Sequence, residues 1–246
     1  MKASSLSAIL VTLVALGVSS VALADAAPQE AVGAPDAHPR GARVSVAGEV
    51  GRYVVGPLGH VRGFLLKDGT AVMLHDTAGD AMARSVPVGQ SVRVEGLSPA
   101  SGGKVIFRPT VYGQHGLVAS PPARGERNQG DRSARDERRT ELRADLAKLP
   151  EVSASGTVQT VLTGRRGAPV GVVLADGTSV FLRPRLIKAI GARGIHVGDR
   201  IDSTGKGGSY PLGASVLATT VTFGDGARFE ARSRNGSGQG TVGKDT

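Results

Sequence analysis

The chain holds five histidines, His38, His60, His75, His115 and His196, and no cysteine. Metal binding by imidazoles needs ligands returning on one face, as in H-x-H or H-E-x-x-H, and neither spacing occurs. The one corner that offers a cation site is His75-Asp76 with Asp80, for which a solvated loop is the competing reading. Thr204-Gly205-Lys206-Gly207 has the composition of a phosphate loop, yet Arg200 stands where such a loop needs its first glycine, and no Ser or Thr follows Lys206. A nucleophilic serine on a strand-to-helix turn would read G-x-S-x-G, which is absent; Gly236-Ser237-Gly238 lies in the C-terminal stretch. Asp68 and Asp176 look like a carboxylate pair, but each opens an Asp-Gly-Thr triplet, where a short carboxylate hydrogen-bonds its own turn. These residues predict no catalytic group, no metal and no cofactor, and a chain that is not an enzyme.

Charge is the second chemical signal. Thirty Lys and Arg against 21 Asp and Glu give a net charge of +9. A basic balance favours anionic partners such as nucleic acid, phospholipid or anionic polysaccharide, while ordinary solubility explains the same balance. The eight aromatic residues, five Phe and three Tyr, are too few for an extended single-strand binder that stacks a base every few residues.

The elements that position these groups come from a repeat. Gly48-Glu49-Val50 and Gly63 through Leu74 return as Gly156-Thr157-Val158 and Gly171 through Leu182, each matched pair 108 residues apart, as Gly48 is from Gly156 and Asp68 from Asp176. A fixed displacement marks two copies of one unit. Each copy is about 70 residues, near the lower size for a core without staples. Short Val-rich runs broken by Gly (36 in all) and Pro (13) have the rhythm of a small sandwich or barrel. In the first copy the punctuation predicts strands over Val44–Val55, His60–Lys67, Thr70–His75, Val92–Gly96 and Lys104–Tyr112, with a helix over Ala78–Val86. In the second it predicts strands over Val152–Val161, Pro169–Ala175, Thr178–Leu182, Arg200–Thr204 and Ala214–Phe223, with a helix over Pro184–Ile190.

Five strands with a short helix between the third and fourth resemble an oligonucleotide/oligosaccharide-binding (OB) barrel, a partly open Greek key. The run Gly48-x-Val50-x-x-Tyr53-x-x-x-Pro57-x-Gly59-x-Val61-x-Gly63-Phe64-Leu65-Leu66-x-Asp68-Gly69-Thr70 further resembles short exported bacterial OB-like proteins of uncharacterised function. The second copy departs from it at Gly164-Arg165-Arg166-Gly167, where the first has Pro57 and Gly59. The fold class expected is mainly β, two five-stranded OB-like Greek-key barrels joined by a charged helical linker. The resemblance implies that ligands use the second and third strands and the loops joining strands one to two and four to five.

In the second copy those surfaces hold Arg165, Arg166, Phe181, Arg183, Lys206 and Tyr210. Period-two alternation turns Phe181 and Arg183 outward together if Val180 and Leu182 point inward. Cation beside aromatic is the composition of a stacking platform; the alternative is that Phe181 covers a barrel end or an interdomain seam. The first copy offers Arg52, Tyr53, Arg62 and Lys104, with His60 nearby and Met73 where Phe181 stands.

Residues 1–24 read as a secretory signal, with Lys2, an apolar run and Ala22-Leu23-Ala24, which places the protein in the periplasm or outside a bacterial cell with no membrane span after cleavage. Residues 25–42 and 224–246 are poor in large apolar groups and read as disordered. Domains are expected at 43–113 and 151–223. Between them, 114–150 reads as a linker whose helix starts near Ser133 and stops at Pro150, with Leu142, Leu146 and Leu149 on one face, docking on a barrel or forming a coiled-coil seam. A monomer is expected. Its partner is an anionic polymer (nucleic acid, envelope polysaccharide or lipopolysaccharide); alternatively it is a protein-interaction or structural module meeting an envelope protein.

Overall fold

A computed structural model describes residues 41–75, 78–99, 104–121, 132–164 and 167–231. The signal segment, most of both expected disordered ends, Asp76 of the cation corner, and Arg165 and Arg166 lie outside the described residues.

The first copy contains β1 (Arg43–Val55), β2 (Val61–Leu66), β3 (Ala71–Met73), α1 (Gly79–Ser85), β4 (Ser91–Leu97) and β5 (Val105–Gly113). β1 pairs antiparallel with β2 and β4, β2 with β3, and β4 with β5, while β3 runs parallel to β5 and closes the barrel. The second copy contains β7 (Glu151–Thr163), β8 (Pro169–Leu174), β9 (Ser179–Leu182), α3 (Pro184–Ile190), β10 (Arg200–Tyr210) and β11 (Gly213–Phe223). It closes in the same way, with β9 parallel to β11. Two closed five-stranded barrels with the OB strand order are the architecture.

The Asp-Gly-Thr triplets do the same work in both. Asp68 accepts from the Thr70 amide and hydroxyl at 2.9 Å each, and Asp176 accepts from those of Thr178 at 2.9 and 2.8 Å. Gly69 and Gly177 take φ of 84° and 94°, a region that a Cβ disfavours. Inside each barrel the alternate residues pack as expected: Val50, Phe64, Leu66, Val72 and Ile106 in the first, Val158, Val172, Leu174, Val180 and Val216 in the second, all at most 2% exposed. The short helices plug the barrels through Met82, and through Leu186 with Ile190.

Four expectations are corrected. β6 (Gly116–Ala119) forms a hairpin with β5 inside the stretch expected as linker, because Gly116 at φ 107° turns the chain back. β12 (Arg228–Glu230) pairs with β11 inside the stretch expected to be disordered, and Phe229 packs edge-on to Phe223 at 5.7 Å between ring centroids. β10 runs on to Tyr210, so Lys206 and Tyr210 lie in a strand rather than a loop; Gly205 and Gly207 allow the close approach of β11, since a Cβ on either would meet its backbone at 2.1 or 1.9 Å. The linker helix α2 (Arg132–Lys148) lies between the barrels in sequence, but Leu142 is 48% exposed and only Leu146 and Leu149 are partly covered.

Candidate functional site

Strand alternation decides which side chains leave the barrel. Val180 and Leu182 point inward, so Phe181 faces out, as the period of two requires. The outer face it joins is occupied by the other barrel. Val54, Leu65, Ala71 and Val105 of the first copy and Leu162 and Val173 of the second form one buried cluster, with Met73, Phe107, Val170 and Phe181 packed at its edge. Val54 and Leu162, Leu65 and Val173, and Met73 and Phe181 are matched positions of the repeat. The two copies thus bury the same patch against each other, the arrangement of an isologous interface within one chain. That patch is the outer face of the second and third strands, where the fold's resemblance implied a ligand.

Polar groups from the expected site fasten this seam. Arg52 Nη1 donates to the Ala175 carbonyl at 3.4 Å, and the Tyr210 hydroxyl donates to the Pro57 carbonyl. Burial raises the Tyr210 pKa. Gly59 at φ 88° lets the Tyr210 ring lie on the chain, because a Cβ there would sit 2.7 Å from its Cδ1. Phe181, Arg52 and Tyr210 are therefore interface residues in this fold rather than a free stacking face.

Tyr53 is also corrected. It is 2% exposed, stacks edge-on to Phe64, and donates its hydroxyl to Val86 O at the end of α1. Burial pushes its pKa up to about 12. Its position on β1 turns it into the first barrel and away from the outer surface. Lys104 Nζ donates to the Asp68 carbonyl at 3.0 Å and braces the first turn. Burial raises the Asp68 pKa, but Thr70 and the charge of Lys104 outweigh it and hold the carboxyl below its ordinary range. Arg62 is exposed on β2. His60 Nδ1 lies 2.8 Å from Asp80 Oδ2, while Asp80 Oδ1 accepts the Val61 amide at 2.8 Å. That ties α1 to β2. Among the described residues no group of three or more His, Asp or Glu is placed to hold a metal.

Two of the expected residues do converge. Arg183, which precedes α3, and Lys206 on β10 line a pocket of about 690 Å³ together with Arg143, Leu146 and Ala147 of α2 and Leu182, Pro184 and Leu217. Arg143, Leu146 and Ala147 stand at i, i+3 and i+4, one face of α2. Three cationic residues contribute to a mostly aliphatic lining, which holds neither a carboxylate nor an aromatic ring among the described residues. The Arg183 Nε is buried with no hydrogen-bond partner. Glu151 is the register neighbour of Lys206 on β7, but it is exposed and outside the pocket.

Sequence reasoning misses Arg143, since the leucines dominate the pattern of α2; the signal available is a cation three residues before Leu146 on the same face.

The first barrel has an opening at the matching place. Leu97 faces Phe107 across β4 and β5, as Lys206 faces Leu217 across β10 and β11. Phe107 and Leu217 hold the same station beside the matched residues Met73 and Phe181. This groove, about 1090 Å³, mixes Arg43 and Arg108 with Glu95, so its charges partly cancel. Arg108 adopts φ 50° at the bulge where β4 and β5 change register. Where the first barrel has Leu97 the second has Lys206, and among the described residues α2 lines the second opening and not the first. No protein-family model, curated protein or solved structure matches the chain.

Proposed function

We propose that this protein is an exported, non-catalytic binding module of the bacterial envelope that holds an anionic ligand in the pocket between α2 and the second barrel. The observation that carries this reading is the convergence of Arg143, Arg183 and Lys206 on one lining that contains no acid among the described residues. Cations brought together against an aliphatic, low-dielectric floor attract an anion more strongly than the same charges spread over a surface. The net charge of +9 supports it by drawing polyanions toward the molecule. Between the anionic partners considered, an envelope polysaccharide or lipopolysaccharide fits better than nucleic acid. Among the described residues the pocket offers no aromatic ring for a base, and the outer second- and third-strand faces are packed together.

The test is retention of the purified protein on heparin over a range of salt, with Arg143, Arg183 and Lys206 changed together to Gln. We expect the slope of log affinity against log salt to fall by about 2 to 3, roughly one per cation removed. A triple variant retained like the parent, with retention lost instead on changing Arg165 and Arg166, would move the site to the first loop of the second barrel. A flat salt response in the parent would remove anion binding altogether.

That last result would favour a protein-interaction module. The specific support for this second reading is the seam itself, which leaves a packed two-barrel body whose β6 and β12 strands stand at open sheet edges.

A further inference from the structure

Resting on the anion-binding reading, we infer that the pocket takes an anionic amphiphile as a single molecule: a small anionic head on an unbranched aliphatic body. The lining combines cationic and aliphatic residues. Arg143, Arg183 and Lys206 come from three different elements, while Leu146 of α2 and Leu217 of β11 supply aliphatic surface. A polysaccharide alone would leave those leucines facing hydroxyl groups, which gain nothing from them. A hydrocarbon alone would leave three cations without counter-charge beside an aliphatic wall. An alkyl phosphate or long-chain carboxylate satisfies both halves at once.

The volume agrees, since about 690 Å³ lies within the roughly 300–1,000 Å³ of small-molecule sites. Comparison between the two barrels adds an independent reason. The matching opening of the first barrel has Leu97 in place of Lys206, carries Glu95 and is lined by no helix among the described residues, whereas the second sets cationic residues beside the aliphatic face of α2.

Calorimetric titration with inorganic phosphate and with butyl, octyl and dodecyl phosphate below their micelle concentrations tests this, with dodecyl maltoside as the uncharged control. Affinity is expected to rise by about fourfold per methylene until the chain fills the pocket. R183Q/K206Q should weaken every alkyl phosphate by a similar factor, and Leu146→Ser, on the surface of α2, should reduce the gain per methylene. Thermal unfolding of each variant shows that it is folded.

Equal affinity for phosphate and dodecyl phosphate would overturn the amphiphile while leaving the anion site standing. Equal affinity for dodecyl maltoside and dodecyl phosphate would overturn the anionic head. Chain-length-dependent binding untouched by R183Q/K206Q, together with heparin retention untouched by the triple variant, would overturn both the amphiphile and the anion reading.

Discussion

The Tyr210 hydroxyl on the second barrel donates to the main-chain carbonyl of Pro57 on the first, linking residues 153 apart in the chain. The ring lies on Gly59, so the contact has a polar end and an apolar face. Together with Arg52 on Ala175 it borders the cluster of Val54, Leu65, Leu162 and Val173. The two barrels are therefore one packed body, not beads on a linker.

Removing the hydroxyl alone isolates the polar end. Tyr210→Phe should cost about 0.5–1.5 kcal/mol, a single hydrogen bond, seen as a lower midpoint in urea with unchanged slope. Gly59→Ala should cost more, because it adds a Cβ 2.7 Å from the Tyr210 ring at φ 88°. A Gly59→Ala protein as stable as the parent would show that the ring does not rest there.

Leu162 is fully buried, yet it belongs to the seam rather than to either barrel interior. Leu162→Ala is expected to cost about 2–5 kcal/mol, as for an interior leucine. The loss should be shared by both barrels, so amide exchange should quicken on β2 as well as β8. Exchange confined to the second barrel would mean that the seam contributes no stability.

The two turn glycines separate conformational strain from crowding. A Cβ added at Gly69 would find no atom within 4 Å, whereas one at Gly177 would come within 2.8 Å of Arg52 Nη1. Gly69→Val should cost roughly 1–3 kcal/mol from positive φ alone. Gly177→Val should cost more, and Arg52→Ala should recover the excess. Equal costs at the two positions, measured by thermal unfolding, would show that Arg52 does not crowd the second turn.

Titration behaviour follows from two tethered groups near α1. Burial raises the Asp80 pKa, but the Val61 amide, His60 and the charge of Arg84 outweigh it, so its carboxyl titrates below the ordinary 3.8. A depressed folded-state value stabilises the protein above 3.8, and that contribution is lost as pH falls through the lower value. Asp80→Asn should lower Tm at pH 7, and the difference from the parent should close at acid pH.

Tyr53 has the opposite sign, with a folded value near 12 against 10.0 unfolded. Its contribution is complete below pH 10.0 and is lost as pH rises toward 12. Tyr53→Phe should cost about 1–3 kcal/mol at neutral pH by leaving Val86 O unpartnered, and should flatten the alkaline fall in Tm. An unchanged alkaline limb would exclude Tyr53 as its source.

The barrels are legible in the sequence because their determinants are local. The 108-residue repeat, the Asp-Gly-Thr turns and alternation at Val180, Phe181 and Leu182 specify strands and faces through backbone sterics and a period of two. Even α3 matches its expected range, since Pro184 starts it. What lies outside each face depends on residues distant in sequence.

Alternation alone turns Phe181 outward, but whether it meets ligand or protein depends on Val54 and Leu65 in the other copy, and only packing decides that. Tyr53 points inward because the β1 register does, which composition does not reveal. Arg183 and Lys206 stand in the sequence as separate cations, and Arg143 joins them only where α2 rests beside β10. The sequence alone determined two barrels and a basic balance; tertiary structure decided that one face of each is hidden and that three cations share one pocket, because burial and convergence are properties of contacts between segments.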